Sequence, residues 1–499
     1  MGSFENLLNG FETALTLSNL LYSFIGVFIG TAIGVLPGLG PAATIAILLP
    51  VTYHIGAVSA VIMLGGIYYG AMYGGSTTSI LLNIPGEPAS VVTCLDGYKM
   101  AQQGRAGPAL GMAAMGSFIG GTISILGMSI LAPFLASMAL KFQYPEYFSL
   151  LLLGLMMAVY LSEGPVIKGL MMVVLGLLLG AIGLDPVRGT ERFTFGISNL
   201  RDGVEFVAVA MGLFGIAEML SNMETTHVRQ VFKTSLKGLL PSIQDWRQCW
   251  APVLRGTFLG FFIGVFPGGG GVISSFMAYA VEKRLSKHPE RFGNGAIEGV
   301  AAPESANNAA GTTCFIPLMT LGIPGTASMA MIYIALMMHG VRPSPLLIQE
   351  HPEIFWSLVA SMYLGNLMLL GLNLPLIGLW VRVLQVPYRF LAVIVIVVCG
   401  IGAYSIKSDV FDVWIMIIFG VLGYLLRKLG FPLAPLILAL ILGPKLERSL
   451  RQSLLLSGGD PLIFLQRPIS AALLLVAGLL ILTPVIRWLW RKRHVPLQS

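Results

Sequence analysis

Two apolar segments of this chain are broken at almost the same spelling, one in each half. Residues 34–40 read GVLPGLG and residues 264–270 read GVFPGGG. Each is followed by a second polar break that ends in Ile-Pro-Gly, at Ile84-Pro85-Gly86 and at Ile323-Pro324-Gly325. A backbone surrounded by lipid has no water to bond to. A Pro-Gly interruption at membrane depth therefore survives only where protein buries it or where it lines a wet cavity. Matching interruptions in the two halves of a hydrophobic chain point to a solute site near the bilayer midplane.

That argument needs a membrane, and the composition supplies one. Of 499 residues, 56% are hydrophobic and 11% charged, with a mean hydropathy of +0.82. An ordinary soluble domain is about 25% charged. Roughly a dozen apolar stretches approach the ~20 residues that span a bilayer. The clearest are 107–135, 148–161, 165–183, 204–221, 353–381, 388–403, 411–426 and 469–490. The short alternating segments of a membrane β-barrel are missing, so the expected fold is an all-α polytopic membrane protein. The net charge of +7 gathers in clusters that flank spans, including Arg229, Lys233, Lys237 and Arg247, then Lys283, Arg284 and Lys287, then Arg491, Lys492 and Arg493. These read as cytoplasmic anchors, not as a nucleic-acid patch. Cys94, Cys249, Cys314 and Cys399 are far apart and form no CxxC pair, so they read as small apolar fillers. Glu5 and Glu12 near the start leave no basic n-region, and no secretory signal is expected.

The polar stretch 222–251 divides the chain near its middle. The expected organisation is a first transmembrane repeat over 1–221, a cytoplasmic linker over 222–251 with room for a short amphipathic surface helix, a second repeat over 252–468, and a last helix with a basic tail over 469–499. In both halves an apolar run meets a Pro-Gly break, then a Gly- and Thr-rich patch, then Ile-Pro-Gly. A later echo pairs MVVLGLLLGAIGLDP with MIIFGVLGYLLRKLGFP. Three echoes in one order mark an internal repeat. The stretch 256–281 lies between Arg255 and Lys283-Arg284, which suits a re-entrant hairpin with both feet in the cytoplasm; a single kinked span is the alternative. The counterpart around Pro37-Gly38 has no basic flank, as expected if the two halves are inverted.

Two patches carry candidate chemistry. In GSTTSILLNIPGEPAS, residues 75–90, Ser76, Thr77, Thr78 and Asn83 offer side-chain oxygens, while Pro85 and Pro88 withhold amide donors. Unwound carbonyls at Pro85-Gly86 suit a cation, and the positive ends of half-helices suit a carboxylate. In APESANNAAGTTCFIPLMTLGIPG, residues 302–325, Asn307, Asn308, Thr312 and Thr313 are the counterpart, with Glu304, Ser305 and Pro324-Gly325 as ion-coupling candidates. Asn amides can hold a cation by oxygen and an anion by nitrogen. Gly38, Gly40, Gly268 and Gly269 in the first breaks complete the substrate candidates, since glycine lets ligand and backbone approach closely. An intramembrane carboxylate costs about 2.5–3.5 kcal/mol, so Glu304 either serves the site or lies exposed just outside the membrane. The plain alternative for both patches is a kinked helix whose hydroxyls bond back to its own carbonyls.

Other chemistries find little support. Gly38-Leu39-Gly40-Pro41-Ala42-Ala43 lacks the βαβ context and acidic residue of a dinucleotide site, and no Gly-Lys-Ser/Thr follows Gly268–Gly271. The six histidines show no metal-ligand spacing. An intramembrane transferase would need clustered acidic or His residues, and an ion channel would need a pore built by subunit symmetry. No enzyme activity, resident metal or cofactor is expected.

The stretches GVLPGLGPAATIAILLP, GSTTSILLNIPGEPAS, KGLMMVVLGLLLGAIGLDPVRGTERFTFG and GVFPGGGG, with EGVAAPESANNAAGTTCFIPLMTLGIPG, resemble the large membrane subunit of the tripartite tricarboxylate transporters, the TctA family. The resemblance covers nearly the whole chain. It implies an uptake system of the bacterial inner membrane. A periplasmic solute-binding protein (TctC-like) and a small membrane subunit (TctB-like) would be partners, citrate or another carboxylate the substrate, and an ion gradient the energy source. Sodium is the first expectation for the ion because the patches are rich in neutral oxygens. Protons carried by Glu87, Asp96 or Glu304 are the alternative.

Overall fold

The computed structural model describes residues 3–36, 40–162, 164–185, 188–224, 238–268, 270–383 and 388–494. Among them the only strands are the two-residue pair Gly183–Leu184 and Glu191–Arg192; helices make up most of the rest. Six helices are long and apolar enough to cross a membrane: Leu17–Val35, Ala57–Leu82, Ala106–Ala139, Phe206–Met223, Pro352–Asn373 and Val410–Lys428. Six shorter apolar helices accompany them, Pro41–Thr52 and Ala327–Met338 included. The protein is thus an all-α polytopic membrane protein. Its compact units do not follow the halves of the chain: one comprises Met1–Ser137 with Val207–Tyr424, the other Met138–Phe206 with Leu425–Ser499.

The first unit is built on two parallel helix pairs. Gly26, Gly30 and Gly34 of Leu17–Val35 lie in step against the Met63, Ile67 and Ala71 carbonyls of Ala57–Leu82. Gly256, Gly260 and Gly264 of Ile243–Val265 lie in step against Ala302, Ala306 and Ala310 of Glu298–Thr313. A Cβ at Gly30 would fall 2.4 Å from the Ile67 oxygen, and one at Gly260 would fall 2.1 Å from that of Ala306. Small residues every four positions let backbones touch where lipid offers no hydrophobic drive to associate. Because residue numbers rise together along both members, each pair is parallel, and the helix between them must return. Pro41–Thr52 returns in the first half and Gly271–Leu285 in the second.

The second half therefore forms a hairpin, not a kinked span. Arg255 Nε and Nη2 each donate to the Glu282 carboxylate at 2.7 Å. In one continuous helix these residues, 27 apart, would be separated by about 40 Å. The Ile243–Val265 helix also reaches back into the stretch expected to be linker. Ser242 Oγ accepts from Asp245 N at 3.1 Å, and Asp245 Oδ2 accepts from Ser242 N at 2.9 Å. This capping box turns the polar run Gln244-Asp245-Trp246-Arg247 into first helical turns, so the boundary expected at 251/252 falls inside a helix. Residues 225–237 of that stretch lie outside the described residues.

The second breaks follow one path. Asn83 (φ 57°) and Gly322 (φ 67°) each close a helix in the left-handed region, where a carbonyl-terminating residue without strain is Gly or Asn. Four residues later Glu87 (φ −140°, ψ 160°) and Thr326 (φ −136°, ψ 166°) stand at the start of the next helix. The returning arms then exchange partners between halves: Pro41–Thr52 packs on Ala327–Met338, and Gly271–Leu285 packs on Pro88–Ser90.

The second unit is a bundle of Tyr144–Tyr160, Val166–Gly180, Ala434–Leu456 and Pro468–His494. Ser149 and Ser470 share a hydrogen bond at 2.7 Å in its interior. Lys168 Nζ donates to Leu429 O at one end. At the other, Arg451 pairs with Asp185 at 3.0 Å and Arg192 with Glu447 at 2.8 Å.

Candidate functional site

The polar side chains of the two halves meet around Glu298–Thr313, a helix whose residues from Gly299 onward are all buried. Glu304 is only 1% exposed, so it does not lie in water beside the membrane. Its carboxylate accepts from hydroxyls on three other helices: Ser76 Oγ at 2.6 Å, Thr93 Oγ1, and Ser117 Oγ at 3.4 Å. No Lys, Arg or His pairs with it among the described residues. One turn on, Asn307 Nδ2 donates to Glu87 Oε1 at 2.7 Å, joining the second patch to the first half's break. Asn307 Oδ1 is buried without a partner. It sits where a Cβ at Gly271 would come within 2.1 Å. Asn308 Nδ2 donates to Ser117 Oγ at 2.7 Å, continuing the network to Glu304.

The breaks themselves converge. A Cβ at Gly86 would lie 2.1 Å from Gly34 O, and one at Gly325 would lie 3.1 Å from Gly268 N and Pro267 Cα. Each Ile-Pro-Gly turn is thus pressed against the first break of its own half, with Pro85 and Pro324 leading into the contact. Gly40 N donates to Glu218 Oε1 at 3.1 Å. Gly38 and Gly269 lie outside the described residues.

The remaining candidates divide by what their hydroxyls do. Ser76, Glu304, Asn307 and Asn308 belong to one connected cluster, and Thr77 lines a small space beside it. Thr78 Oγ1 donates to Val35 O at 2.7 Å and Thr313 Oγ1 to Phe261 O at 3.0 Å. Both tie a buried helix to its parallel partner. Ser305 donates to Ala302 O and Thr312 to Asn308 O, the back-bonded pattern of a helix interior. Asn83 serves the left-handed turn.

Sequence reasoning passed over Thr93, Ser117, Asn366 and Asn373, and left Glu87 out of the site itself. One signal was present: Asn366 and Asn373 stand seven apart, on one face of the largely apolar helix Pro352–Asn373. Polar groups inside a span are functional candidates by default. Ser117, a single small hydroxyl in an apolar run, carried no such signal.

A multi-pass helical membrane protein with an internal repeat, whose broken segments enclose a buried polar cluster, has the architecture of a membrane carrier. The Tripartite tricarboxylate transporter TctA family matches residues 20–438, and the chain belongs to that family. It is 53% identical over 476 residues to an uncharacterized 52.8 kDa protein of the TAR-I ttuC′ 3′ region of Agrobacterium vitis, covering 95% of each chain. A second uncharacterized protein, from the TAR-II ttuC′ 3′ region of the same organism, is 52% identical over 231 residues, 46% of this chain and 96% of its own. An uncharacterized protein of Methanocaldococcus jannaschii is 24% identical over 214 residues, 42% of this chain and 50% of its own. No solved structure matches the chain.

Proposed function

We propose that this chain is the large subunit of a binding-protein-dependent secondary carrier that imports a tricarboxylate or related carboxylate through the bacterial inner membrane. Family membership supports the tripartite system, with a small membrane subunit and a periplasmic binding protein as partners. The observation that carries the site is the Asn307–Glu87 bond. It joins the second patch of one half to the break of the other, at a point buried from solvent.

Energetics then demand a co-transported cation. Each negative charge moved inward against an inside-negative potential costs about 2.3 kcal/mol per 100 mV, so a trianion costs roughly 7 kcal/mol before any concentration gradient. At least three cations, or neutralising protons, must accompany it. Sodium is the favoured ion because the cluster is made of hydroxyl and amide oxygens around isolated carboxylates. Proton coupling through Glu87 is the second reading, favoured by the burial of that carboxylate beside Asn307. The two halves are read as inverted repeats that exchange access by moving the break-bearing unit against a scaffold of plainer spans.

The test is uptake by proteoliposomes that contain the full system, binding protein included. Saturable, sodium-dependent accumulation is expected, whereas a channel would pass solute without saturation. Asn307→Ala and Asn308→Ala should each abolish uptake while inserting at the wild-type level. Unchanged sodium-dependent uptake in both variants removes this site; accumulation driven by a pH gradient without sodium selects the proton.

A further inference from the structure

Between Ala57–Leu82, Ala106–Ala139 and Pro352–Asn373 the first unit keeps a small space with room for about one water-sized particle. Its polar lining is Tyr73, Ser76, Thr77, Ser117 and Asn373, closed by small and apolar residues of the Ala106–Ala139 helix. Each of these polar side chains carries an oxygen. Tyr73 Oη donates its proton to Asn366 Oδ1 at 2.5 Å. Ser76 and Ser117 donate theirs to Glu304 Oε2 at 2.6 and 3.4 Å. A hydroxyl that donates still has lone pairs to offer. The Asn373 amide donates through Nδ2 to Leu369 O at 2.9 Å, and its Oδ1 is buried with no partner. Asn373 as a whole is 6% exposed.

Charge and size narrow the occupant. Glu304 stands one hydroxyl behind the lining, with no cationic side chain paired to it. An anion would be repelled, and a carboxylate solute would not fit. A divalent ion ordinarily takes six or more oxygens, several of them carboxylates; only one carboxylate backs this space. We propose that the space binds one dehydrated alkali-metal cation, with sodium matching its size. Ser76 Oγ, Ser117 Oγ and Asn373 Oδ1 are its ligands, and Glu304 is its counter-charge. The role of this ion as the driving ion rests on the carrier reading above; its binding does not. Ser76 then serves the cation, while Asn307 stays with the solute.

The test uses purified full-length protein without any carboxylate, with sodium chloride exchanged for choline chloride at constant ionic strength. Thermal unfolding of the wild type should shift upward saturably with sodium, as for any ligand that binds only the folded state. Potassium should act more weakly. Asn373→Leu and Ser117→Ala should each raise the half-saturating sodium concentration by about tenfold, the loss of one ligand being on the order of 1.4 kcal/mol. Glu304→Gln should abolish the shift. Should Glu304→Gln fail to fold, the other two variants, checked for an unchanged elution profile, carry the test. A wild type indifferent to sodium would mean that the space holds water only, and unchanged half-saturation in both Asn373→Leu and Ser117→Ala would equally overturn the proposal. Parallel uptake assays separate the two claims. Sodium binding without carboxylate uptake defeats the carrier reading and leaves the site; sodium-independent uptake without sodium binding does the reverse.

Discussion

Asp96 and Asp245 show how single carboxylates position the buried helices. Asp96 Oδ1 accepts the amides of Gly293, Gly295 and Ala296, each at 2.8 Å, and Oδ2 accepts the Tyr279 hydroxyl at 2.9 Å. Its acceptors are committed to the turn that launches Glu298–Thr313, which makes it a positioning group for Glu304 and Asn307. Asp245, outside the spans, caps Ile243–Val265 and pairs with Arg105 at 2.5 Å. Partial burial pushes its carboxyl upward, but the Ser242 hydroxyl and amide and the Arg105 guanidinium outweigh it and hold the group below the usual carboxylate value. A lowered folded value contributes stability that is fully present above the unfolded value, about pH 4, and is lost as pH falls through the folded one. Asp245→Asn should therefore cost about 1 kcal/mol at neutral pH, and the gap in unfolding temperature from wild type should close below about pH 4. A gap that persists in acid would assign the loss to packing instead.

The elements are joined by backbone contact more than by side chains. In both parallel pairs the glycines bring one helix onto the carbonyls of the other, so a methyl group has nowhere to go. Gly260→Ala, aimed at the Ala306 carbonyl, should lose about 1–3 kcal/mol through overpacking and lower the yield of monodisperse protein. Gly478→Ala, where a Cβ meets nothing within 4 Å, should be close to neutral. Equal thermal stability of the two variants would refute the close-packing argument. The breaks were legible in the sequence because Pro-Gly inside an apolar run has few other uses. The hairpin was legible from Arg255 and the basic pair Lys283-Arg284 at its feet, although its proof is the Arg255–Glu282 pair. The four-residue glycine repeat was also there to be read, but a Gly-rich chain hides it until a partner helix shows which glycines lie in step.

For the whole molecule, orientation can be read from the second unit alone. If the basic tail Arg491-Lys492-Arg493 is inside, the loop before Pro468–His494 is outside, where Arg467 pairs with Glu146 at 3.3 Å. Crossing back along the apolar helix Tyr144–Tyr160 brings the chain inside, where Lys168 donates to Leu429 O. In a cysteine-free background, Leu462→Cys should react with a membrane-impermeant thiol reagent added to intact cells, and Leu429→Cys only after permeabilisation; the opposite pattern would invert this topology. The sequence by itself determined the solvent, the helical class, the places where helices break, and the family. Those follow from hydropathy, proline and glycine chemistry and long motifs, which are all read along the chain. Only the tertiary structure decided which oxygens surround Glu304 and which amide oxygen is left without a partner. Ser76 and Glu304 are 228 residues apart, and a pairing at that distance is set by how the helices pack, which no local pattern encodes.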